Sequence, residues 1–268
     1  MYLTEVWNKN KNITFELVRK SVKKQYRNSF LGVFWTVLNP LLNMLVMWLV
    51  FRRIFGDGDP LYPVYLLAGN ILFQFLRTAT SNSLTSIVEN RGLLTKVKID
   101  TYLFPMSSTL SSLVNFGFSM ISLIIIMLGM EIFGGYNIYG YQFLFVFLML
   151  PALLMFMYGI SLFLSALYVF FRDIKHLYTV FLTLWQYMTP IFYKIGKLGG
   201  GKTAEIVNYN PMLHFVNYFR DCMYNCQYNG LGVPSFKALG LLYLFGIASI
   251  IIGYCVFRAL RKKFIINL

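Results

Sequence analysis

Long, nearly unbroken apolar runs decide what this chain can fold into. They lie at about 33–54, 64–88, 106–132, 142–170, 177–193 and 237–259, each close to the roughly 20 residues a helix needs to cross a bilayer. Lipid offers backbone amides no water, so such segments become helices that satisfy their own N–H and C=O groups. Only 13% of the 268 residues are charged, about half the share found in a soluble domain. The pattern predicts an all-α polytopic membrane protein with one transmembrane domain over 1–268. Within it fall a cytoplasmic segment at 1–29, a six-span bundle at 30–260 and a cytoplasmic tail at 261–268. The apolar run after the polar start is longer than the 7–15-residue core of a signal peptide, so no cleaved leader is expected.

Before the first run, "NITFELVRKSVKKQYR" (12–27) repeats Phe15, Val18, Val22 and Tyr26 at helical spacing, while Lys20, Lys24 and Arg27 share another face. That is an amphipathic helix with Asn12 as its N-cap, of the kind that lies in the membrane interface. Of the 24 Lys and Arg, seven (Arg52, Arg53, Lys194, Lys197, Lys202, Arg220, Lys237) fall outside if the N-terminus is cytoplasmic, and Arg77 falls within a span. The rest lie inside, an asymmetry that places both termini in the cytoplasm. The net charge of +14 is then explained by loops facing anionic lipid, and no nucleic-acid motif accompanies it. The 194–236 connection is too long for a simple turn and predicts short re-entrant or interfacial helices before the last span. Cys222, Cys226 and Cys255 support neither a disulfide framework nor a metal site. Cys222 and Cys226 read as ordinary thiols, with one local bridge as the alternative.

Catalytic chemistry is hard to find. All ten Asp and Glu fall in loops or at span edges, whereas ion-coupled carriers need carboxylates at mid-membrane. No nucleophile, base and orienting acid converge. "GKLGGGKT" (196–203) matches the phosphate-loop pattern but follows a membrane run instead of a buried strand, so it reads as a flexible glycine-rich loop. Two features carry more. Asn70, Gln74, Arg77 with Thr78, Ser81 and Thr85 draw a polar stripe along the second span, which must face protein or a water-filled path. Tyr178, Phe181, Trp185 and Phe192 recur along the fifth. They are suited either to sliding contact with sugar rings or to packing and interfacial anchoring.

The chain resembles the membrane permeases of ABC exporters for cell-surface polysaccharides, the family of O-antigen, teichoic-acid and capsule exporters. The likeness rests on an ordered set of landmarks: "YRNSFLGVFW..LNP" from Tyr26 to Pro40, "LLAGN" (66–70), "NRGLLTKV" (90–97), "FFRDIKHL" (170–177), "TPIFY" (189–193) and "NPM" (210–212) with Arg220 beyond it. One departure is that Ile99-Asp100 and Tyr102 stand where the family commonly has Phe-Pro and a charged residue, with only Pro105 kept. The resemblance implies a multi-pass subunit of the bacterial plasma membrane that binds no cofactor of its own. A second copy and two nucleotide-binding subunits, which carry ATP and Mg, would complete the machine. Its cargo would be a lipid-linked polysaccharide, commonly on a polyprenyl diphosphate, moved outward along a path lined by the first and fifth spans. On this reading Trp35 joins the aromatic path, and Lys20, Lys23, Lys24 and Arg27 meet the lipid diphosphate and membrane lipids. Asn90, Arg91, Leu93, Leu94, Lys96, Arg172 and Asp173 take the push of the ATPase. The alternatives are a membrane enzyme acting on lipid-linked sugars and an ion-coupled lipid-oligosaccharide flippase. Neutralising Arg27 together with Lys24 is expected to lower surface-glycan display several-fold while leaving assembly with the ATPase intact; unchanged display in a cell-surface glycan assay removes their role.

Overall fold

The computed structural model describes residues 2–26, 32, 34–55, 59–94, 96–97, 99–138, 140–194, 205, 207–226, 229–230 and 232–264, with side chains from residue 10 onward and excluding 51–55. Arg27 and the 196–203 loop lie outside the described residues. Regular structure among those described is helical: α1 (Tyr2–Tyr26), α2 (Phe34–Phe55), α3 (Tyr62–Glu89), the single turn α4 (Arg91–Leu94), α5 (Leu103–Gly134), α6 (Phe145–Phe170), α7 (Ile174–Met188), α8 (Pro211–Arg220) and α9 (Phe236–Arg261). A 3-10 turn, Tyr141–Leu144, leads into α6, and a π turn, Asp221–Asn225, extends α8.

Among the described residues three helices are long and apolar enough to cross a membrane: α5, α6 with its leading turn, and α9. In α2 the apolar stretch is Phe34–Val50. α3 has the length, at 28 residues, but its polar stripe dilutes its hydropathy. α7 differs from the 177–193 run expected of it. It ends at Met188 after 15 residues, about 22 Å of rise, because Pro190 supplies no N–H and pushes Thr189 out of the helical region. Asn210 then caps α8 by accepting from Met212 N at 3.0 Å, with Pro211 at the first helical position, where its missing donor costs nothing.

The frame is α6 packed along α9 with α3 wedged between α5 and α6. Small residues make the first pairing possible. A Cβ on Gly159 would run into the Ser249 backbone, and one on Gly253 into the Gly159 carbonyl. Ser249 Oγ donates to Phe156 O at 2.9 Å across the same contact. Without a hydrophobic drive between helices in lipid, such close backbone approach and dispersion hold the pair together. At one end Ile87, Phe104, Leu162, Val169, Phe257 and Phe264 form a separate apolar cluster, on which Leu93 and Leu94 of α4 rest. Arg261 Nη2 clamps Asp100 Oδ1 at 2.6 Å beside it.

Other elements are held more loosely. Among its described side chains α2 buries only Met44, and α7 buries only Tyr178 and Leu182. α1 runs alongside α5 in the same direction: Asn10 Nδ2 donates to Tyr102 Oη at 3.1 Å, Ser21 Oγ to Ser111 Oγ at 3.3 Å and Tyr26 Oη to Asn115 Oδ1 at 2.6 Å. Cys222 and Cys226 are buried free thiols. Gly253→Leu is expected to force α9 off α6 and to destabilise the fold by about 3 kcal/mol or more, measured as a lowered thermal midpoint in detergent, while Gly240→Leu, where open space surrounds the glycine, leaves the midpoint in place.

Candidate functional site

The polar stripe of α3 faces open space inside the protein. Asn70, Gln74, Arg77 and Thr78 line a cavity of about 520 Å³, closed by Thr36, Asn39 and Asn43 of α2, Asn115 and Ser119 of α5 and Gln186 of α7. A second cavity of about 800 Å³ adjoins it between α1, α3 and α5, walled by Lys20, Ser21, Lys24, Asn82, Thr85, Glu89, Asn90 and Ser107. Gln25, Thr78 and Asn115 belong to both walls, so the two form one passage from the α4 end of the bundle toward its middle. Ser81 lines neither cavity, and neither does Lys23.

The amides in this passage are under-used. Among the described residues the side chains of Asn39, Asn43, Asn70, Gln74 and Asn82 make no hydrogen bond to protein. Asn39, Asn43, Gln74 and Asn82 are exposed and Asn70 is partly so, which leaves these amides open to water or to a hydroxyl-rich ligand. Lys20 and Lys24 likewise project into the wider cavity without a carboxylate partner among the described residues. Sequence reasoning missed Asn43, Asn82, Asn115 and Gln186. The signal was helical spacing in each case: Asn43 from Asn39, Asn82 from Thr78, Asn115 from Ser111 and Ser119, and Gln186 from Thr183.

The aromatic series divides. Tyr178 is buried and donates from Oη to Thr80 Oγ1 at 2.7 Å; Trp185 Nε1 donates to Asn210 Oδ1 at 2.8 Å; Phe192 is buried. Phe181 remains half exposed, on an outward apolar face with Leu177, Val180, Leu184 and Tyr187. Trp35 is exposed on α2 and does not line the passage. Of the expected coupling residues, Asn90 Nδ2 caps back onto Ser86 O at 2.8 Å. Arg91 and Lys96 are exposed beside the anchored Leu93 and Leu94. Arg172, stacked 5.2 Å from the Tyr168 ring centroid, and Asp173 are exposed between α6 and α7. Phe170, just before them, packs on the same apolar cluster as Leu93 and Leu94, so both groups sit at one end.

The opposite end holds a knot around the non-helical segment 189–193. Arg220, only 3% exposed, reaches Tyr65 O from Nε at 3.3 Å and from Nη2 at 3.1 Å, Pro190 O from Nη1 at 3.1 Å and Ile191 O from Nη2 at 3.3 Å. Its guanidinium lies 3.4 Å from the Tyr65 ring centroid. Tyr65 Oη donates to Pro190 O and Tyr193 O, and Tyr62 Oη to Phe192 O. Gly69 is required here, because a Cβ would come within 2.6 Å of Arg220 Nη2. The neighbouring Asp221 carboxyl, part of a polar cavity of about 450 Å³ with Asp59, Lys194 and Asn217, is held above its ordinary pKa by burial, against the opposing pull of Asn225 and Arg220. Among the described residues no group of three metal-ligating side chains occurs.

The sequence profile of the ABC-2 type transporter family matches residues 13–224, which takes in α2 to α8 and both ends of the passage. The chain belongs to the ABC-2 type transporter family. Two relatives agree over almost the whole length. The O-antigen export system permease protein RfbA of Klebsiella pneumoniae is 26% identical over 261 residues, covering 92% of each chain. Its namesake from Myxococcus xanthus is 27% identical over 259 residues, covering 95% of this chain and 94% of the relative. As an ABC-2 permease, the chain is a multi-pass membrane transport subunit. Arg220→Ala is expected to leave the Ile191 carbonyl without its donor and the Pro190 and Tyr65 carbonyls without the guanidinium, at a cost of about 3 kcal/mol, read as thermal stability in detergent, with Arg220→Lys intermediate because an ammonium cannot span the three carbonyls at once.

Proposed function

We propose that the chain is the membrane half of an ATP-driven exporter moving a cell-surface polysaccharide of the O-antigen kind, joined to a polyprenyl diphosphate, out of the cytoplasm. Two copies pair with two nucleotide-binding subunits that carry the ATP and Mg. The observation that carries this reading is the passage lined by unpaired amides inside an apolar ABC-2 bundle. Sugar hydroxyls both donate and accept, so an amide wall can hold successive units of a glycan in many registers and release each readily. The names of the relatives point to the same cargo.

In this reading six segments cross the membrane: α2, α3, α5, α6, α7 continued by 189–193, and α9. Both termini and α4 face the cytoplasm, α1 sits at the interface, and α8 re-enters from outside without crossing. Lys20, Lys24 and Arg27 draw the lipid diphosphate to the wide mouth of the passage through charge-assisted contacts. Phe181 with its apolar neighbours meets the second copy and the moving glycan. Closure of the nucleotide-binding subunits pushes on Asn90, Arg91 and Lys96, and on Arg172 and Asp173 at the start of α7. The seating of Leu93 and Leu94 on the shared apolar cluster lets that push reach α6 and α9 as one body.

The test is isolation and function together. The affinity-purified complex is expected to contain a second chain with a complete phosphate loop and to hydrolyse ATP; a chain that exports glycan alone defeats the proposal. Replacing Asn43 and Asn70 together by Leu is expected to cut surface-glycan display about tenfold or more, the loss of two hydrogen bonds of about 1 kcal/mol each, with complex assembly unchanged on size-exclusion chromatography.

A further inference from the structure

We infer that the cavity between α2, α3 and α5 holds an anion-binding site centred on Arg77, which takes the phosphate or carboxylate oxygens of the transported molecule. This rests on the export reading above and adds to it a chemical class for what passes mid-path. Arg77 lies near the middle of the 28-residue α3, in an apolar bundle where a lone charge is expensive and marks a functional site until its partner is found. Its one hydrogen bond to a described residue joins Nη2 to the neutral Gln186 Oε1. Its Nε is buried with no acceptor at all.

The surroundings specify the missing partner. Among the described residues no Asp or Glu lines this cavity. Glu89, in the adjoining one, lies twelve residues farther along the same helix, about 18 Å of axial rise, and leaves Arg77 uncompensated. The same cavity is lined by the unpaired amides of Asn39, Asn43, Asn70 and Gln74, each with an NH₂ to donate. A cation is repelled from such a place. Neutral hydroxyls would satisfy the amides but leave the guanidinium charge unmet. A planar fork of donors with amide donors around it matches a tetrahedral phosphate or a carboxylate.

Arg220 supplies the internal comparison. It is fully buried, where Arg77 is only partly so, and has no carboxylate bonded to it, but three backbone carbonyls and an aromatic face consume its donors. Arg77 lines the cavity and has a single hydrogen bond to a described residue, the one to Gln186. The anion has two possible sources, the diphosphate joining glycan to lipid or acidic groups along the glycan, and the same side chain serves either.

The experiment uses the full-length chain in nanodiscs without its ATPase partner, so that no nucleotide site contributes. Inorganic pyrophosphate is expected to slow phenylglyoxal modification of Arg77, followed by peptide mass spectrometry, by about fivefold or more, while the Arg220 peptide is unaffected. Arg77→Gln is expected to weaken pyrophosphate binding about tenfold or more and Arg77→Lys by about threefold at most. An acidic oligosaccharide that also protects Arg77 assigns the anion to the glycan; protection by pyrophosphate alone assigns it to the lipid linkage. Absence of protection by both anions in the wild-type chain overturns the proposal, as does equal binding by wild type and Arg77→Gln. If neutral oligosaccharide still binds in that case and glycan is still exported in cells, the anion site falls alone; if ATP-driven export is absent as well, the export reading falls with it.

Discussion

A backbone that leaves the helix inside an apolar bundle must find a donor for every carbonyl it frees, and the end of the molecule around 189–193 is arranged by that demand. Thr189 O is met by Ile191 N at 2.7 Å, Pro190 O by Tyr65 and Arg220, Ile191 O by Arg220, Phe192 O by Tyr62 and Tyr193 O by Tyr65. The donors come from two places, the first turn of α3 and the last residue of α8. Asn210 ties the start of α8 to the same segment, donating to Thr189 Oγ1 at 2.9 Å while accepting from Trp185 Nε1. Breaking α7 at Pro190 therefore recruits α3 and α8 into one unit.

That unit is joined to a helix held by little else. Along its length α7 is fixed to α3 by two polar contacts, Tyr178 to Thr80 and Gln186 to Arg77, instead of by a packed apolar seam. α2, on the far side of the passage, is similarly shallow in its burial. Opposite them, α6 and α9 interlock through glycines that admit no side chain. Polar contacts can exchange with water or with a hydroxyl-rich ligand at small net cost, whereas a close-packed seam cannot open without losing all its dispersion contacts. The shallow burial and polar contacts of α2 and α7 thus contrast with the interlocked α6–α9 frame.

How far the sequence spoke for this depends on the range of the interaction. Helices were legible because hydropathy and the rule against unpaired backbone in lipid act residue by residue. The stripe Asn70, Gln74, Arg77, Thr78 was legible because a single helix face carries it. The part played by Asn115 and Gln186 was not, since only the crossing of α5 and α7 with α3 makes them walls of one cavity. The aromatic series had left sugar contact and packing both open. Its spacing is regular, yet Tyr178 and Trp185 point at hydrogen-bond partners on other elements, and only Phe181 stays open. The full length of α7 was overestimated because an apolar run continues through Thr189–Pro190 while the backbone cannot.

The landmark motifs acquire separate physical reasons in this light. "LLAGN" places Gly69 where the Arg220 guanidinium must pass and, one residue on, Asn70 where the passage begins. "TPIFY" is the broken segment whose carbonyls need that guanidinium, and "NPM" sets Asn210 as both the cap of α8 and the latch on Trp185. Three motifs far apart in sequence thus meet at a single junction, and the junction stands against the inner wall of the polar passage. Thr189 N bonds back to Trp185 O at 3.0 Å, and Gln186 in the same turn accepts from Arg77. The same covalent and hydrogen-bonded chain that seals one end of the bundle is the chain that positions the lone charge in the middle of the path.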